Sequence, residues 1–476
     1  MGKYTAAILS LFVYQMVLGA TYHLDRPDGS QITYYLEEPK HSPKFPILIL
    51  LQGSQCTSVD GRYDEFATLF TQIFQTAFLT VEKPGFPSKE EGCPKEYLEN
   101  NTIDQRIEDL HTVFAELRSS KPEWNRELIL MGGSEGATLG GLIAHQIPEA
   151  RYLMLAAGGG GMTFAEELLF LQRKKMTNEG ASQGEVDVAQ EKMRAKFEEI
   201  KGNPTPDKSW YGETNTYKWW ASILFRDLRE SLASVKVPIY IVQGTEDWSV
   251  PVESSDQLAS FLQSQNKKVT YVRREGLSHN FQHTNGQSYS KYVYAASVFW
   301  LMVQEDQELR FKLMEMIKDD PNSPFLPELW QKIAQIDQRN TMATKVLMSR
   351  TGFPLISTHG HQANRDGWLI AQHADRDVAF QKEVLAILET ALKQNDTHPP
   401  DVAYLTDRVM VNERVQNGQA AKQLFGTQGR LKDKCWEPWS MQDHRTVDER
   451  RARYDLGPLA DYVRLMNELY GKPECL

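Results

Sequence analysis

Between residues 45 and 303 short apolar runs alternate with segments of helical period, and few architectures accept that rhythm. The runs 45–51, 77–81, 128–131, 152–157, 238–243 and 269–273 have strand length. Several are apolar throughout, as strands buried on both faces are. Between them, 63–74, 102–118, 137–146, 252–265 and 288–303 read as helices. Strands joined through helices predict an α/β fold with a mostly parallel sheet covered on both faces. A hairpin precedes it: residues 22–37 hold two stretches rich in Tyr, Ile and Thr around Pro27-Asp28-Gly29-Ser30, a strong turn signal. The rhythm breaks after the glycine run Gly158 to Gly161. From there 164–235 is charged and mostly helical by period, which predicts an inserted cap over about 162–235.

One turn in this frame carries chemistry. Gly132-Gly133-Ser134-Glu135-Gly136 follows the strand 128–131 directly and opens the helix at Ala137. A G-x-S-x-G match is weak alone, but strand–turn–helix context is what a nucleophile elbow requires. The glycines permit a strained turn that lifts Ser134 Oγ clear of the backbone. The helix N-terminus adds partial positive charge near a developing oxyanion. A serine at its ordinary pKa is a poor nucleophile and needs a base, with an acid and then a histidine expected downstream. Asp247, in Gly244-Thr245-Glu246-Asp247, follows the strand 238–243. His279, in Gly276-Leu277-Ser278-His279, follows the strand 269–273. Both sit at the C-terminal ends of strands, where open α/β sheets place their sites. Glu246 is the alternative acid and His283 the alternative base. For the oxyanion hole, one donor is expected from the backbone N–H of Glu135. The other is expected from the loop Gln52-Gly53-Ser54-Gln55, with Ser54 N–H the first choice. In the cap, Trp219 and Trp220 are candidate substrate-binding residues, beside Trp210, Ile223 and Phe225; aromatics at helical spacing more often pack a cap onto its core.

These motifs, with the Pro-Asp-Gly-Ser hairpin, resemble the α/β-hydrolase superfamily over residues 22–303. The chain departs from it at Gln52-Gly53, where many members have His-Gly. The resemblance implies an eight-stranded core, a helical cap between the sixth and seventh strands, and a hydrolase. It names no substrate, because the superfamily hosts esterases, peptidases, thioesterases and lipases.

The first twenty residues differ in kind. Lys3 is the only charge before Asp25, an apolar stretch runs over 6–13 with a second patch at 16–18, and Gly19 and Ala20 follow. That pattern reads as a secretory signal peptide cleaved near Ala20, and it is short for a spanning helix. Export makes disulfides permissible. Cys56, Cys93, Cys435 and Cys475 allow three pairings; Cys56–Cys93 with Cys435–Cys475 is the simplest, and four free thiols are the alternative. None has CxxC spacing, so no zinc or redox motif is indicated. Asn100-Asn101-Thr102 and Asn395-Asp396-Thr397 match the glycosylation sequon.

Asp319-Asp320-Pro321-Asn322-Ser323-Pro324 reads as a linker. Beyond it 326–349, 371–393, 401–425 and 459–470 favour helix and no strong strand pattern appears, so 325–476 is expected to be a mainly α domain. Gln372-His373-Ala374-Asp375, Thr406-Asp407-Arg408, Gly426-Thr427-Gln428 and Asp448 with Arg450-Arg451 resemble a bacterial family of unknown function over roughly 325–472. His373, Asp375, Asp407, Arg408 and Gln428 are therefore candidate site residues. His373 and Asp375 are two apart, which on a helix puts them on different faces and argues against joint metal binding unless the helix breaks there. A structural network, in which Asp407-Arg408 forms buried ion pairs or caps with Arg451 and Asp448, is favoured over a ligand or metal site, and a second catalytic centre ranks last.

The expected organisation is a leader at 1–20, a capped hydrolase at 21–318, a linker at 319–324 and an α domain at 325–476. Lys and Arg total 53 against 63 Asp and Glu, a net charge of −10, which disfavours nucleic acid or anionic lipid as partner. A small-molecule substrate is expected, with no cofactor or metal. The chain reads as a secreted or periplasmic serine hydrolase acting on carboxylic esters or thioesters. The alternatives are a peptidase or amidase with the same triad, and a binding or scaffolding protein with an inert hydrolase core.

Overall fold

The computed structural model describes residues 19–86, 92–320, 322–420, 422–470 and 475. The expected leader lies almost entirely outside them.

The hairpin pairs β1 (Ala20–Asp25) with β2 (Gln31–Glu37) in antiparallel register, Ala20 opposite Leu36. Its turn closes through Arg26 N–H to Ser30 O at 2.7 Å, with Gly29 at φ 86°. Then follow β3 (Phe45–Leu51), α1 (Asp64–Leu69), which runs on as a π turn over Phe70–Phe74, and β4 (Ala77–Val81). Next come α2 (Lys95–Asn100) and α3 (Ile103–Ser120), the latter capped by Thr102 Oγ1 accepting from Gln105 N–H at 3.1 Å. After β5 (Trp124–Gly133), α4 (Glu135–Ile143) and β6 (Ala150–Ala156) comes the cap. It contains α5 (Phe164–Asn178), α6 (Gln183–Gly202), α7 (Tyr217–Ile223) and α8 (Leu228–Ala233). Then β7 (Ile239–Gly244), α9 (Val252–Ser264), β8 (Val269–Arg274) and α10 (Ser290–Asp319) complete the alternation.

The sheet has eight strands in the order β1-β2-β4-β3-β5-β6-β7-β8. β3 pairs in parallel with both β4 and β5, and β7 with both β6 and β8. Ile47, Leu48 and Ile49 are wholly buried and every residue of β7 is buried, which explains why these strands read as continuous apolar runs rather than alternating ones. The hydrolase-type sandwich with a cap between β6 and β7 is therefore the observed architecture.

The C-terminal region is mainly helical: α11 (Leu326–Thr351), α12 (Ile356–His359), α13 (His361–His373), α14 (Val378–Leu392), α15 (Pro399–Gln416), and after a hairpin α16 (Val447–Ala452) and α17 (Leu459–Tyr470). Its core packs α13, α14 and α15 through Ala371, Phe380, Val384, Leu388, Val402 and Leu405. Four local expectations are corrected. The helix expected over 371–393 is two, because Asp377 Oδ1 caps the N–H of Phe380 at 3.0 Å and starts α14 afresh. The helix expected over 401–425 stops at Gln416. The helix expected over 288–303 runs unbroken to Asp319. A hairpin, β9 (Gly429–Lys432) with β10 (Cys435–Pro438), occurs where no strand was expected. Its two turn residues, Asp433 and Lys434, both have positive φ; a type I′ turn lacking the usual glycine is hard to see in sequence.

Among the described residues no helix is long and apolar enough to cross a membrane. Both expected disulfides are present, Cys56–Cys93 and Cys435–Cys475.

The chain divides into two compact units. One comprises Met1–Arg151, Thr163–Ala165 and Gln183–Arg226; the other Tyr152–Met162, Glu166–Ser182 and Asp227–Leu476.

Candidate active site

The first unit holds the turn at Ser134. β5 enters a turn in which Ser134 adopts φ 54° and ψ −123°. A non-glycine residue held there costs on the order of 1–3 kcal/mol and persists only where its surroundings enforce it. The flanking glycines show how. A Cβ at Gly132 would lie 2.1 Å from Gly136 O, and one at Gly136 would lie 2.0 Å from Leu51 O. Only glycine lets β5, α4 and the end of β3 approach so closely. α4 starts directly after Ser134, with Ala137 N–H on Ser134 O at 2.9 Å.

The loop after β3 lies beside the elbow: a Cβ at Gly53 would be 3.3 Å from Ser134 Cβ. Its carbonyls are tied back in succession. Arg106 Nη2 donates to Gln52 O at 3.0 Å, Tyr97 Oη to Ser54 O at 3.1 Å, and Lys83 Nζ to Gln55 O. Cys56–Cys93 fixes the next residue. Lys83 is buried, and burial pushes its ammonium down to about 7 against the opposing pull of Glu135. Glu135 adds a second anchor. Arg106 Nη1 donates to its Oε1, and Trp219 Nε1 to its Oε2 at 2.7 Å. Trp219 thus joins α7 of the cap to the residue after the serine. Trp220 is buried in an aromatic cluster with Phe164 and Trp210, and its Nε1 donates to Trp210 O at 2.8 Å. The motif pattern located Ser134; the anchoring by Arg106, Lys83 and Tyr97 carries no local sequence signal.

The second unit holds Asp247 and His279. Asp247 is 4% exposed. Its Oδ1 accepts from the N–H groups of Ser249 at 2.8 Å and Val250 at 2.9 Å. Its Oδ2 accepts from Gln243 Nε2 at 2.7 Å and stands 2.8 Å from His279 Nδ1. Gly244 is required here, since a Cβ would meet Leu277 O at 2.2 Å in the histidine loop. The alternatives are placed differently. Glu246 is exposed, and His283 packs over Gly276 and against the Tyr289 ring. The glycine run is close-packed: a Cβ at Gly159 would meet Glu167 Oε1 at 2.0 Å, and one at Gly161 would meet Ser254 O at 2.2 Å. Glu167, not singled out by any motif, is fully buried. Burial pushes its carboxyl up to about 8, against hydrogen bonds from Ser254 and Gly160.

Residues 48–283 match the family model described as serine aminopeptidase, S33. The eight-stranded sheet accords with that match. The chain carries an α/β-hydrolase domain. Residues 297–473 match a family of unknown function, beginning inside α10. The α/β-hydrolase match supports a hydrolytic role. No curated protein matches. Among solved structures, Est1E from Butyrivibrio proteoclasticus aligns at 16% identity and TM-score 0.37, over 55% of this chain and 90% of that one. A Mycobacterium tuberculosis puromycin-hydrolyzing peptidase aligns at 18% identity and TM-score 0.40, over 58% of this chain and 38% of that one. Pyrococcus horikoshii acylaminoacyl peptidase aligns at 11% identity and TM-score 0.39, over 60% and 41%.

The C-terminal candidates of the α/β-hydrolase chain do not form one cluster. His373 ends α13 and its Nδ1 lies 3.0 Å from Asp306 Oδ2 on α10. Asp375 lies past the helix end, where Asn412 Nδ2 donates to it at 2.9 Å and Arg408 Nε is 3.4 Å away. Among the described residues Asp407 makes no ion pair with Arg451. It accepts the N–H groups of Leu424, Phe425 and Thr427 at 2.8–3.0 Å and the Thr427 hydroxyl at 2.9 Å. Gln428 Nε2 donates to Thr427 Oγ1 at 3.0 Å. Arg451 instead donates to Gly457 O and Phe425 O, and Asp448 Oδ1 accepts from Leu459 N–H. Asp306, Asp337 and His373 bring ligand-type atoms within 4.8 Å of one another. Arg310 already fills the cation position there, donating to Asp306 Oδ1 at 2.7 Å and Asp337 Oδ1 at 2.5 Å.

Proposed function

We propose that the protein is an exported serine hydrolase that cleaves a carboxylic ester or thioester through an acyl-enzyme. Ser134 Oγ attacks the carbonyl carbon as His279 Nε2 takes its proton. Asp247 holds the imidazole through Nδ1 and stabilises its charged form. The oxyanion is received by the backbone N–H groups of Glu135 and Ser54. His279 then returns the proton to the leaving alcohol or thiol, and water repeats the sequence to release the acid and restore Ser134.

The observation that carries this reading is the 2.8 Å contact between His279 Nδ1 and Asp247 Oδ2. The two N–H donors and one amide fixed on that carboxylate make it an acceptor held in one orientation. The strained backbone of Ser134 is in keeping with it. Two disulfides and the absence, among the described residues, of a helix able to cross a membrane are compatible with a secreted or periplasmic location.

A second reading, a peptidase or amidase with the same residues, is favoured by the description of the matched family. One experiment separates the readings. Wild type and Ser134→Ala are treated with a fluorophosphonate probe and then assayed on esters, thioesters and peptides. Labelling of wild type alone with ester or thioester turnover supports the proposal. Turnover of peptides alone promotes the second reading, and unlabelled wild type removes both in favour of an inert core.

A further inference from the structure

α13 and α15 lie side by side in the same direction. His361 and His398 bring their rings to 5.3 Å, Trp368 and Tyr404 to 5.9 Å, and Arg408 Nε donates to Gln372 O at 3.1 Å. On α13 the facing row is His361, Arg365, Trp368, Gln372. On α15 it is His398, Asp401, Tyr404, Arg408. Spacings of three and four put each row on one helix face. Two helices that meet along such a seam normally do so through apolar side chains. Here both rows are polar or aromatic.

Four polar atoms on these rows are buried without a hydrogen-bond partner: Trp368 Nε1, Gln372 Oε1, His398 Nε2 and Asp401 Oδ2. Gln372 and Asp401 are only 6% and 2% exposed. Buried polar groups are nearly always paired, because an unpaired one keeps its desolvation cost with nothing in return. Four on one seam indicate an occupant that supplies the missing partners. At one end of the seam His361 and Arg365 are exposed, and at the other Gln372 is buried.

The lining defines the chemistry. One orphan is an obligatory donor, two are acceptors or able to be so, and the imidazole nitrogen serves either way according to tautomer. A hydroxyl both donates and accepts, so a molecule carrying several satisfies all four. Arg365 and Arg408 repel a cation. Burial pushes the Asp401 carboxyl up to about 7 against the pull of Arg365, so it can stand protonated and donate to a neutral oxygen. Burial also lowers His398, reinforced by His361 and Arg365 and opposed by a hydrogen bond with the His361 backbone. Trp368 and Tyr404 supply the apolar surface such sites use against C–H faces.

We propose that the α13–α15 seam is a binding site for a neutral polyhydroxylated small molecule, a sugar or sugar alcohol, held by Trp368, Gln372, His398 and Asp401. It is independent of the chemistry at Ser134.

The test uses the full-length protein with glucose, N-acetylglucosamine, cellobiose and mannitol, and with glucose 6-phosphate and glucosamine as charged counterparts. Binding is read by ligand-observed NMR and calorimetry. The expected result is saturable one-to-one binding of at least one neutral probe, weakened about fivefold by Trp368→Phe and by Asp401→Asn, each of which removes one polar contact. Amide exchange of the wild type, which needs no variant, should show protection over 361–373 and 398–408 on saturation. Absence of binding by every neutral probe means that only water fills the seam and overturns the proposal. So does preference for a charged counterpart, or protection confined to other segments.

Discussion

Trp219 Nε1 donates to Glu135 Oε2 at 2.7 Å, so a cap helix is hydrogen-bonded to the residue that follows Ser134. Arg106 holds the other carboxylate oxygen and also Gln52 O. One buried carboxylate thereby ties together the elbow, the loop after β3 and α7. Trp219→Phe keeps the ring and removes the donor. It should lower stability by about 1–3 kcal/mol, the cost of leaving part of a buried charge unpaired. Denaturant unfolding of the two proteins is the check; an unchanged midpoint would show that the contact contributes nothing.

Asp247→Asn keeps the size of the side chain but changes which imidazole tautomer is favoured. If His279 acts as the base, kcat on a cleaved ester should fall by about 10⁴-fold, with KM little altered. Steady-state kinetics measure both. A loss confined to KM would assign Asp247 to substrate binding.

Glu167 supplies a pH signature. Its carboxyl, ordinarily near 4.5, is pushed up to about 8 by burial. The native state therefore holds a proton that the unfolded chain has released. The stability linked to it is complete below about pH 4.5 and is lost as pH rises through about 8. Glu167→Gln mimics the protonated form at every pH. Thermal melts from pH 5 to 9 should show the variant gaining on the wild type as pH rises, and parallel curves would refute the assignment.

Asp407 organises the C-terminal region by accepting three backbone N–H groups and one hydroxyl from 424–427. Asp407→Asn turns one acceptor into a donor facing N–H groups. Limited proteolysis should become faster in the segment around 424–428, with a stability loss of at least about 1–3 kcal/mol.

The Cys56–Cys93 bridge borders the loop proposed to receive the oxyanion. The variant with Cys56→Ser and Cys93→Ser should be acylated at Ser134 more slowly by a fluorophosphonate. Equal rates would show that Lys83, Tyr97 and Arg106 hold the loop unaided.

Much of this was legible in the chain. Strand runs, helix periods, the Pro-Asp-Gly-Ser turn and the elbow are local, because each depends on backbone preferences and burial within a few residues. Asp247 and His279 were legible because each follows a strand, and a parallel sheet puts all such loops at one end. By that ordering Asp247 and His279 are expected side by side, and Asp247 Oδ2 stands 2.8 Å from His279 Nδ1. The pairing of Cys435 with Cys475 followed from proximity in sequence. What the sequence left open depends on partners far along the chain. His373 meets Asp306 across 67 residues, and Trp219 meets Glu135 across 84. Asp407 read as forming ion pairs or caps with Arg451 and Asp448, and it caps the backbone of a distant loop at 424–427 instead. The helix break at 374–377 was hidden because Ala, Asp and Arg are all tolerated in helices, and only the cap of Asp377 on Phe380 decides it. Sequence determined most of the elements of the parallel sheet and the order of the candidate residues along them. Tertiary structure alone decided which buried polar groups find partners, because a hydrogen bond has no periodicity to betray it.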